Sequence, residues 1–385
     1  MNAVYDHIIA IIVVGAIFVG TVVVMPTMSL INLQAVDEQQ LRNTALNVFN
    51  AMLLGTGYPS DWGSTFPFDQ NNVETFGLAY SEECSMYVLD TDKVQRLDED
   101  SPGYITYEKA RERLELKNYG FSLTIFRPFI VDWDLQVDKT TNYVWFAVNV
   151  TRNQDGRPIP NAEVVSTIIY SAKNETDEEA EPLVGMTTLK NSFTNALGRC
   201  EGNETIEIPE GLKLVRAVAV LRVTVAGMPT IVVAEEDETM HVMKINTFGD
   251  NMILSFRNES VPTSGARWIL NIMAYSHETL TTIYEGTPDD KLTWGYGYYQ
   301  WYKTFPGLSV INPPLLLFTV SVPLGKGGGG RVPVIVVGPF SFWDSSKVSS
   351  FGPDSEQVSN VAVKLRRFVV ISGMTYIAEL TLWKE

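Results

Sequence analysis

Histidine and cysteine are scarce in this sequence of 385 residues. It contains 3 histidines and 2 cysteines, and none of them falls in a CxxC, HExxH or His-x-His spacing. Zinc sites and thiol-based catalytic sites need such clusters of imidazole and thiolate groups. No Ser-His-acid set and no paired-carboxylate motif stands out either. We therefore expect a protein that is not an enzyme and that needs neither a metal nor a cofactor.

Positive charge is also in short supply. Lysine and arginine total 29 against 45 aspartates and glutamates, which gives a formal net charge of −16. A chain of this charge repels phosphate backbones, so nucleic acid is not an expected partner. Charged residues make up 19% of the chain and apolar residues 45%, a balance that excludes a disordered protein. The length predicts two or three domains of about 150 residues each.

Charge is absent altogether from a segment near the amino end. From Ile8 to Met25 the chain runs for 18 residues without a charged side chain, and the first lysine or arginine is Arg42. A helix of this length spans a hydrocarbon core of about 30 Å, given modest extension at either end. A cleaved secretory signal is the competing interpretation, but it needs a basic segment in front and a small-residue cleavage site. The run predicts a retained apolar helix.

The same helix is predicted to continue past the apolar run, through Pro26, with a different character. Apolar side chains then recur at spacings of four, three and four residues, with polar side chains between them, which is the pattern of an amphipathic helix. Gly55, Gly57 and Pro59 predict its end. The result is one helix of about 45 residues, apolar all round in its first half and one-sided in its second. The recurring apolar positions are Leu41, Ala45, Val48 and Met52.

This arrangement resembles the type IV pilin-like proteins of archaea that carry a class III signal. Shared features are the apolar half-helix, the lone acidic Asp6 near its start, the proline in its middle and a β-rich segment behind it. The sequence departs from that family in two respects: no basic leader ends in Lys-Gly or Arg-Gly, and aspartate replaces the usual glutamate. Four short segments are similar to segments of archaeal membrane-anchored surface proteins: GYPSDWG at 57–63, FGLA at 76–79, LDTDKVQRL at 89–97 and YEKARERLEL at 107–116.

The resemblance implies self-assembly through the helix. If Met1 is lost, Asp6 becomes the fifth residue, where pilins carry the acidic group thought to neutralise a neighbouring subunit's amino terminus. A solvated residue at a helix start is the other interpretation of Asp6. The residues implied in assembly are Asp6, Gly15, Gly20 and Pro26.

The predicted fold class is mainly β behind the long N-terminal α-helix: a pilin-like helical spine followed by β-sandwich modules. We predict a helix over 1–54, a mixed α/β segment over 55–120, an immunoglobulin-like β-sandwich over 121–236 and a second β-rich module over 237–385. In NYVWFAVNV at 142–150, apolar side chains alternate as in a sandwich strand. Further strands are predicted at 164–170, 214–225, 252–257, 267–275, 315–322, 332–337, 361–371 and 375–383, the last two joined as a hairpin at Ser372-Gly373.

Several motifs indicate an extracellular location. Four sequons are candidates for N-glycosylation, at Asn149, Asn174, Asn203 and Asn258. Asn149 is the strongest of them, because the strand alternation places it opposite the apolar face. Cys84 and Cys200 are candidates for a disulfide in an oxidising compartment, although two buried thiols fit the sequence as well.

Three other segments invite a functional interpretation. The aromatic run at 294–305 is interpreted as a module or subunit interface, with a sugar-stacking platform as the alternative. GKGGGGR at 325–331 departs from a phosphate-binding loop and predicts a flexible hairpin loop. The acidic runs at 98–100 and 177–179 lack the spacing of a calcium loop and are predicted to be solvated. The candidate interface aromatics are Trp294, Tyr296, Tyr298, Tyr299, Trp301 and Tyr302.

Taken together, these features predict a structural subunit of an extracellular, pilus-like filament. Its partners would be copies of itself, and the membrane at least before assembly. Two other interpretations stay open: a membrane-anchored binding or adhesion module that recognises glycan or a partner protein, and a surface hydrolase.

Overall fold

The computed structural model describes residues 3–83, 87–153, 155–174, 183–188, 191–235, 243–256, 269–276, 279–285, 293–295, 298–311, 313, 315–323, 331–338, 347–353 and 361–385. Strands account for about half of the described residues and outnumber helical residues by more than two to one, which confirms the mainly β class. Among the described strands, every pairing is antiparallel except one short parallel contact between the first strand and the first strand of the C-terminal hairpin. The helices are α1 Ala3–Leu54, α2 Thr91–Gln95, α3 Tyr107–Arg113 and α4 Leu308–Ile311, with a 3-10 turn at Gln70–Asn72.

The second half of α1 packs on a five-stranded sheet, which we call the helix-packed sheet. Its apolar row is buried, as the amphipathic pattern predicts, and forms one core with the inner side chains of the sheet. The sheet combines a strand that follows α3 with the C-terminal hairpin of the chain. Its order is β1-β20-β21-β2-β19. The bounds are β1 Val88–Leu89, β2 Tyr119–Phe126, β19 Lys347–Phe351, β20 Ala362–Ile371 and β21 Met374–Lys384.

The C-terminal end of α1 is fixed by a loop that satisfies one carbonyl group in its last turn and one just beyond it. The N–H of Leu78 donates to the Met52 carbonyl over 2.7 Å, and the N–H of Ala79 donates to the Gly55 carbonyl over 3.0 Å. A Cβ on Gly77 would lie 2.2 Å from the Gly55 oxygen, so only glycine permits this approach. The loop therefore provides the partners that the C-terminal carbonyls of a helix lack within the helix itself.

Two further sheets pack face to face and share a second core. The outer sheet has the order β3-β4-β8, and the central sheet has the order β10-β9-β5-β6, with β7 paired to β5. The outer strands are β3 Phe129–Asp138, β4 Tyr143–Arg152 and β8 Arg199–Thr205. The central strands are β5 Glu163–Asn174, β6 Leu183–Thr188, β7 Ser192–Phe193, β9 Leu212–Val225 and β10 Met228–Glu235. The predicted alternation in β4 is confirmed, because Val144, Phe146, Val148 and Val150 all face this core.

The central sheet is buried on both faces. On β5, Ile168 belongs to the core shared with the outer sheet, whereas its neighbour Ile169 belongs to the core that contains α1. The same alternation occurs on β9, where Ala219 faces the outer sheet and Val220 faces the other way. The molecule is therefore layered, and the central sheet separates the outer sheet from the core of α1.

Two four-stranded sheets complete the described fold. The fourth sheet has the order β11-β12-β16-β15 and the fifth has the order β14-β13-β17-β18. The fourth comprises β11 Met243–Phe248, β12 Asn251–Phe256, β15 Thr293–Gly295 and β16 Tyr298–Thr304. The fifth comprises β13 Ile269–Ser276, β14 Thr279–Glu285, β17 Leu315–Pro323 and β18 Arg331–Gly338. β17 and β18 pair as consecutive antiparallel strands, and the predicted glycine-rich loop between them, at residues 324–330, lies outside the described residues.

Most predicted strands occur within a few residues of their expected bounds, and so does the C-terminal hairpin. Ser372 and Gly373 have φ values of 47° and 77°, the left-handed conformation that a two-residue hairpin turn requires. The four-segment division of the chain stays a prediction, as does the immunoglobulin-like topology. In the helix-packed sheet, β2 nevertheless pairs with β21, which belongs to the predicted segment 237–385. β2 begins at the predicted boundary near residue 120.

Candidate assembly surface

The first half of α1 presents an unbroken apolar surface. Side chains of this helix are described for residues 8–21 and 37–54. All residues from 8 to 21 are exposed, and the large apolar side chains among them are 50% to 72% accessible. They point in every direction around the helix, since 14 consecutive residues cover almost four turns. These side chains are Ile8, Ile9, Ile11, Ile12, Val13, Val14, Ile17, Phe18 and Val19.

The four candidate assembly residues all lie within the bounds of α1. A Cβ placed on Gly15 or on Gly20 would meet no atom within 4 Å, so both glycines face open space. Asp6 and Pro26 have helical backbone, but their side chains lie outside the described set. Among the described residues, no helix combines the length and the apolar character required to cross a membrane.

Charged side chains of α2 are buried where this helix meets the hairpin of β11 and β12, a contact that we call the α2 junction. Arg96, directly after α2, is fully buried, and its guanidinium donates to four carbonyl oxygens over 2.6 to 3.0 Å. Its charge also lies 3.4 Å from the ring centre of Phe248 and 4.4 Å from that of Phe68. The acceptors are the carbonyls of Gly63, Thr65, Pro102 and Gly103. Arg96 therefore ties several loops to the fourth sheet.

Side-chain amides extend the α2 junction. Gln95 donates to the Thr247 carbonyl and accepts from the Thr247 N–H, both over 2.9 Å. Asn246 donates to Gln95 over 3.2 Å and to the hydroxyl of Ser101 over 3.1 Å. The side-chain amide of Gln95 therefore bonds both backbone polar groups of Thr247, as a neighbouring strand would. Gln95 and Thr247 are separated by about 150 residues in the chain.

An acidic cleft of about 690 Å³ opens beside the α2 junction. Burial raises the pKa of Asp92 to about 7, helped by the neighbouring charge of Asp90, whose pKa burial also raises. Burial lowers the pKa of Lys93, against the attraction of Asp90, and its ammonium donates to the Ala79 carbonyl over 2.9 Å. Within the described residues, no group of three or more His, Cys, Asp or Glu side chains could hold a metal ion. The carboxylates that line the cleft are Asp61, Asp90, Asp92 and Asp250.

The α2 junction could not be predicted from the local sequence pattern. Residues 90–96 read DTDKVQR, a charged stretch typical of a solvated helix, and their local pattern contains no sign of burial. The one local feature that the sequence shows is the N-cap of α2. Asp90 accepts a hydrogen bond from the Asp92 N–H over 2.8 Å, which indicates where the helix starts but not what covers it.

The aromatic run is divided between core and surface. Trp301 is 1% exposed and packs against Tyr284 of the fifth sheet and Phe305, so it cannot contact a ligand or another chain. Tyr302 is 47% exposed, and its ring stacks on Phe66 with centroids 5.0 Å apart. The other four candidates carry no described side chain: Trp294, Tyr298 and Tyr299 lie on β15 and β16, and Tyr296 lies outside the described residues.

Cys200 lies on β8 and is buried, with 6% of its surface exposed. Burial raises its pKa to about 11, with a smaller contribution from the charge of Glu201. Cys84 lies outside the described residues. The pairing of the two cysteines therefore stays a prediction.

Two of the four sequons lie on exposed strand positions. Asn149 on β4 and Asn203 on β8 are exposed, as the alternation predicts for Asn149. Asn174, at the end of β5, is half-buried, and Asn258 lies outside the described residues.

Comparisons with known proteins add little to this geometry. No protein-family model matches the chain, and no curated protein matches it either. One similar solved structure is described as structural insight into host cell surface retention of a 1.5-MDa bacterial ice-binding adhesin. The identity is 10%, the alignment covers 67% of this chain and 87% of the other, and the TM-score is 0.16. A score of this size carries no argument about fold or function.

Proposed function

We propose that this protein is a structural subunit of an extracellular filament, assembled with copies of itself through the first half of α1, with its β-rich head facing outward. The exposed apolar surface at residues 8–21 supports this proposal most directly. Soluble monomers rarely expose a contiguous apolar patch above a few hundred Å². Covering each large side chain stabilises the covered state by roughly 1 kcal/mol, so the nine together favour a covered state by roughly 10 kcal/mol.

The division of α1 supports assembly through its first half rather than its second. The second half is already buried in the head through Ala45, Phe49 and Met52, each at most 1% exposed. The first half has no such cover from the described residues. One continuous helix thus joins a folded head to an apolar rod, which is the arrangement of the pilin-like family that the sequence resembles. An immunoglobulin-like topology of the head belongs to the same proposal.

Asp6 has a specific role in this proposal. An unpaired charge among apolar helices costs several kcal/mol, so it must meet a cation. No lysine or arginine occurs before Arg42, so the nearest available cation is a neighbouring subunit's α-amino group, and the adjacent His7 could share the role when protonated. The variant Asp6→Ala should then reduce filament yield while the head keeps its stability. Normal filaments from this variant would contradict the pairing but not the filament.

Substitutions that introduce a charge into the apolar first half of α1, at residues 8–21, test the assembly itself. Val14→Asp and Ile17→Asp should leave the full-length protein folded but unassembled, because each would bury an unpaired carboxylate between helices. Gln40→Asp is the matched control, since Gln40 lies on an exposed polar position of the same helix. Sedimentation and electron microscopy measure the assembly. Unchanged filaments from both rod variants would refute the proposal.

A membrane-anchored binding module is the second candidate. One observation favours it: Tyr302 presents an exposed ring that is held in place by Phe66 and by a 2.9 Å hydrogen bond to Asn251. A fixed, exposed aromatic ring is the group that stacks on sugar faces. If this candidate is correct, Tyr302→Ala abolishes binding to surface glycans, and the protein remains a single copy in lipid vesicles.

A further inference from the structure

The outer sheet lies on the side of the head that faces away from α1. One face of this sheet packs on the central sheet, and the central sheet in turn packs on the core that contains the helix. The opposite face of the outer sheet carries no other described layer. If the first half of α1 lies inside an assembly, this helix-distal face points away from the assembly axis.

The helix-distal face is polar and contains two complete sequons. Along β4, Asn149 and Thr151 lie on this face, and Asn203 and Thr205 follow the same alternation along β8. Cross-strand neighbours of Asn149 are Asp132 on β3 and Arg199 on β8. In each sequon the asparagine and the threonine therefore project from the same side of an exposed strand.

The spacing of the two asparagines allows both to be modified together. Asn203 pairs with Trp145, four residues along β4 from Asn149. At about 3.4 Å per residue and about 4.8 Å between strands, their Cα atoms lie roughly 15 Å apart. Two carbohydrate chains rooted at this distance can extend side by side into solvent.

Of the remaining sequons, Asn258 lies outside the described residues and Asn174 lies away from the helix-distal face. Asn174 ends β5 of the central sheet and is half-buried, and its threonine partner at position 176 lies outside the described residues. It provides an internal control, because it has the same Asn-x-Thr chemistry in a different environment.

We propose that Asn149 and Asn203 are both N-glycosylated, and that the helix-distal face they occupy is the outward surface of the assembly, free of subunit contacts. The second part rests on the proposed function. The donor is a polyprenyl phosphate-linked oligosaccharide, presented by an oligosaccharyltransferase. The side-chain Nδ2 of asparagine attacks the anomeric carbon, forming the N–C bond as the C–O bond to phosphate breaks. The amide loses one proton, and the lipid-linked phosphate leaves with the bonding electron pair.

Glycopeptide mass spectrometry of the full-length protein from its native organism tests the first part, whether or not filaments form. Peptides containing Asn149 and Asn203 should each carry a glycan mass, and the Asn174 peptide should carry less or none. The double variant Asn149→Gln, Asn203→Gln should lose both masses and keep a folded head. Unmodified Asn149 and Asn203 in the native protein would overturn the glycosylation proposal.

Labelling of intact assemblies tests the second part. Periodate oxidation followed by biotin hydrazide marks any glycan with vicinal hydroxyls, so the glycan need not be identified. The two glycopeptides should be labelled equally in intact and in dissociated protein, and the double variant should assemble normally. Labelling that appears only after dissociation would overturn the outward placement of this face. Failure of the native protein to assemble would overturn the proposed function, but it would not affect the glycosylation result.

Discussion

The carboxylate of Asp92 accepts a 2.6 Å hydrogen bond from the backbone N–H of Gly249, which joins α2 to the turn between β11 and β12. Burial and the neighbouring charge of Asp90 raise the pKa of Asp92 to about 7, against the attraction of Arg96 and Lys93. Because this pKa lies above the unfolded value of 3.8, the folded state binds the extra proton between these limits. The contribution of Asp92 to stability is therefore full below the unfolded pKa and is lost as the pH rises through about 7.

Asp92→Asn should remove this pH dependence. The amide oxygen still accepts from Gly249, but it carries no charge to be buried, so the variant should gain stability relative to the wild type as the pH rises from about 5 to about 8. Denaturant unfolding at several pH values measures the difference. Asp250→Asn is the control in the same cleft, because hydrogen bonds from Ser309 lower the pKa of Asp250 and its effect should be constant over that range. A constant difference for Asp92→Asn would contradict the account of this residue.

Arg96→Lys should destabilise the head. A lysine ammonium cannot reach all four carbonyl oxygens or stack as a flat cation between Phe68 and Phe248, so buried acceptors lose their donors. The expected loss in the free energy of unfolding is about 3 kcal/mol. Arg157→Lys is the control, since Arg157 is 76% exposed, and its effect should stay within about 0.5 kcal/mol. Equal effects of the two substitutions would show that Arg96 does not support the junction.

Substituting two phenylalanines of α1 should distinguish effects on head stability from effects on assembly. Phe49 is 1% exposed and Phe18 is 66% exposed. Phe49→Ala should cost the head about 3 to 5 kcal/mol in unfolding free energy, because it leaves a cavity in the core. Phe18→Ala should change head stability by less than about 0.5 kcal/mol and instead weaken assembly. Chemical unfolding and sedimentation, run on the same samples, distinguish the two effects, and a reversed pattern would contradict the division of α1.

Cys200 should resist alkylation in the folded protein. Its thiol is buried and its pKa is raised to about 11, so almost no reactive thiolate forms near neutral pH. Iodoacetamide should modify Cys200 only after unfolding in denaturant. Denaturation without reductant then tests the predicted disulfide: alkylated Cys200 shows a free thiol, and a linked peptide with Cys84 shows the bond. Rapid alkylation of the native protein would contradict the burial.

Local sequence pattern predicted the parts of this fold whose neighbours are near in the chain. Strict alternation around Phe146 and Val148 identified a strand with one buried face, and Ser372-Gly373 identified a hairpin turn. The second half of α1 followed in the same way from its apolar row. The strand and the helix depend on periods of two and 3.6 residues, and the turn depends on its two central residues, so a single segment carries each signal by itself.

The pairing of distant segments could not be predicted in that way. No local feature of β2 indicates that it pairs with β21, more than 250 residues later, and Gln95 gives no sign of its partner Thr247. The burial of Arg96 depends on carbonyl groups supplied by separate loops, which its own segment does not reveal. The density of aromatic residues around Trp301 does not show which of the rings faces the neighbouring sheet.

Electron cryomicroscopy of the purified full-length protein tests the central claim most directly. The account predicts filaments with helical order, in which the first halves of α1 from successive copies form the core and the β-rich heads lie outside. The apolar side chains from Ile8 to Val19 should then contact the same residues of neighbouring copies. Single copies without helical order, with this segment surrounded only by lipid or detergent, would contradict the account.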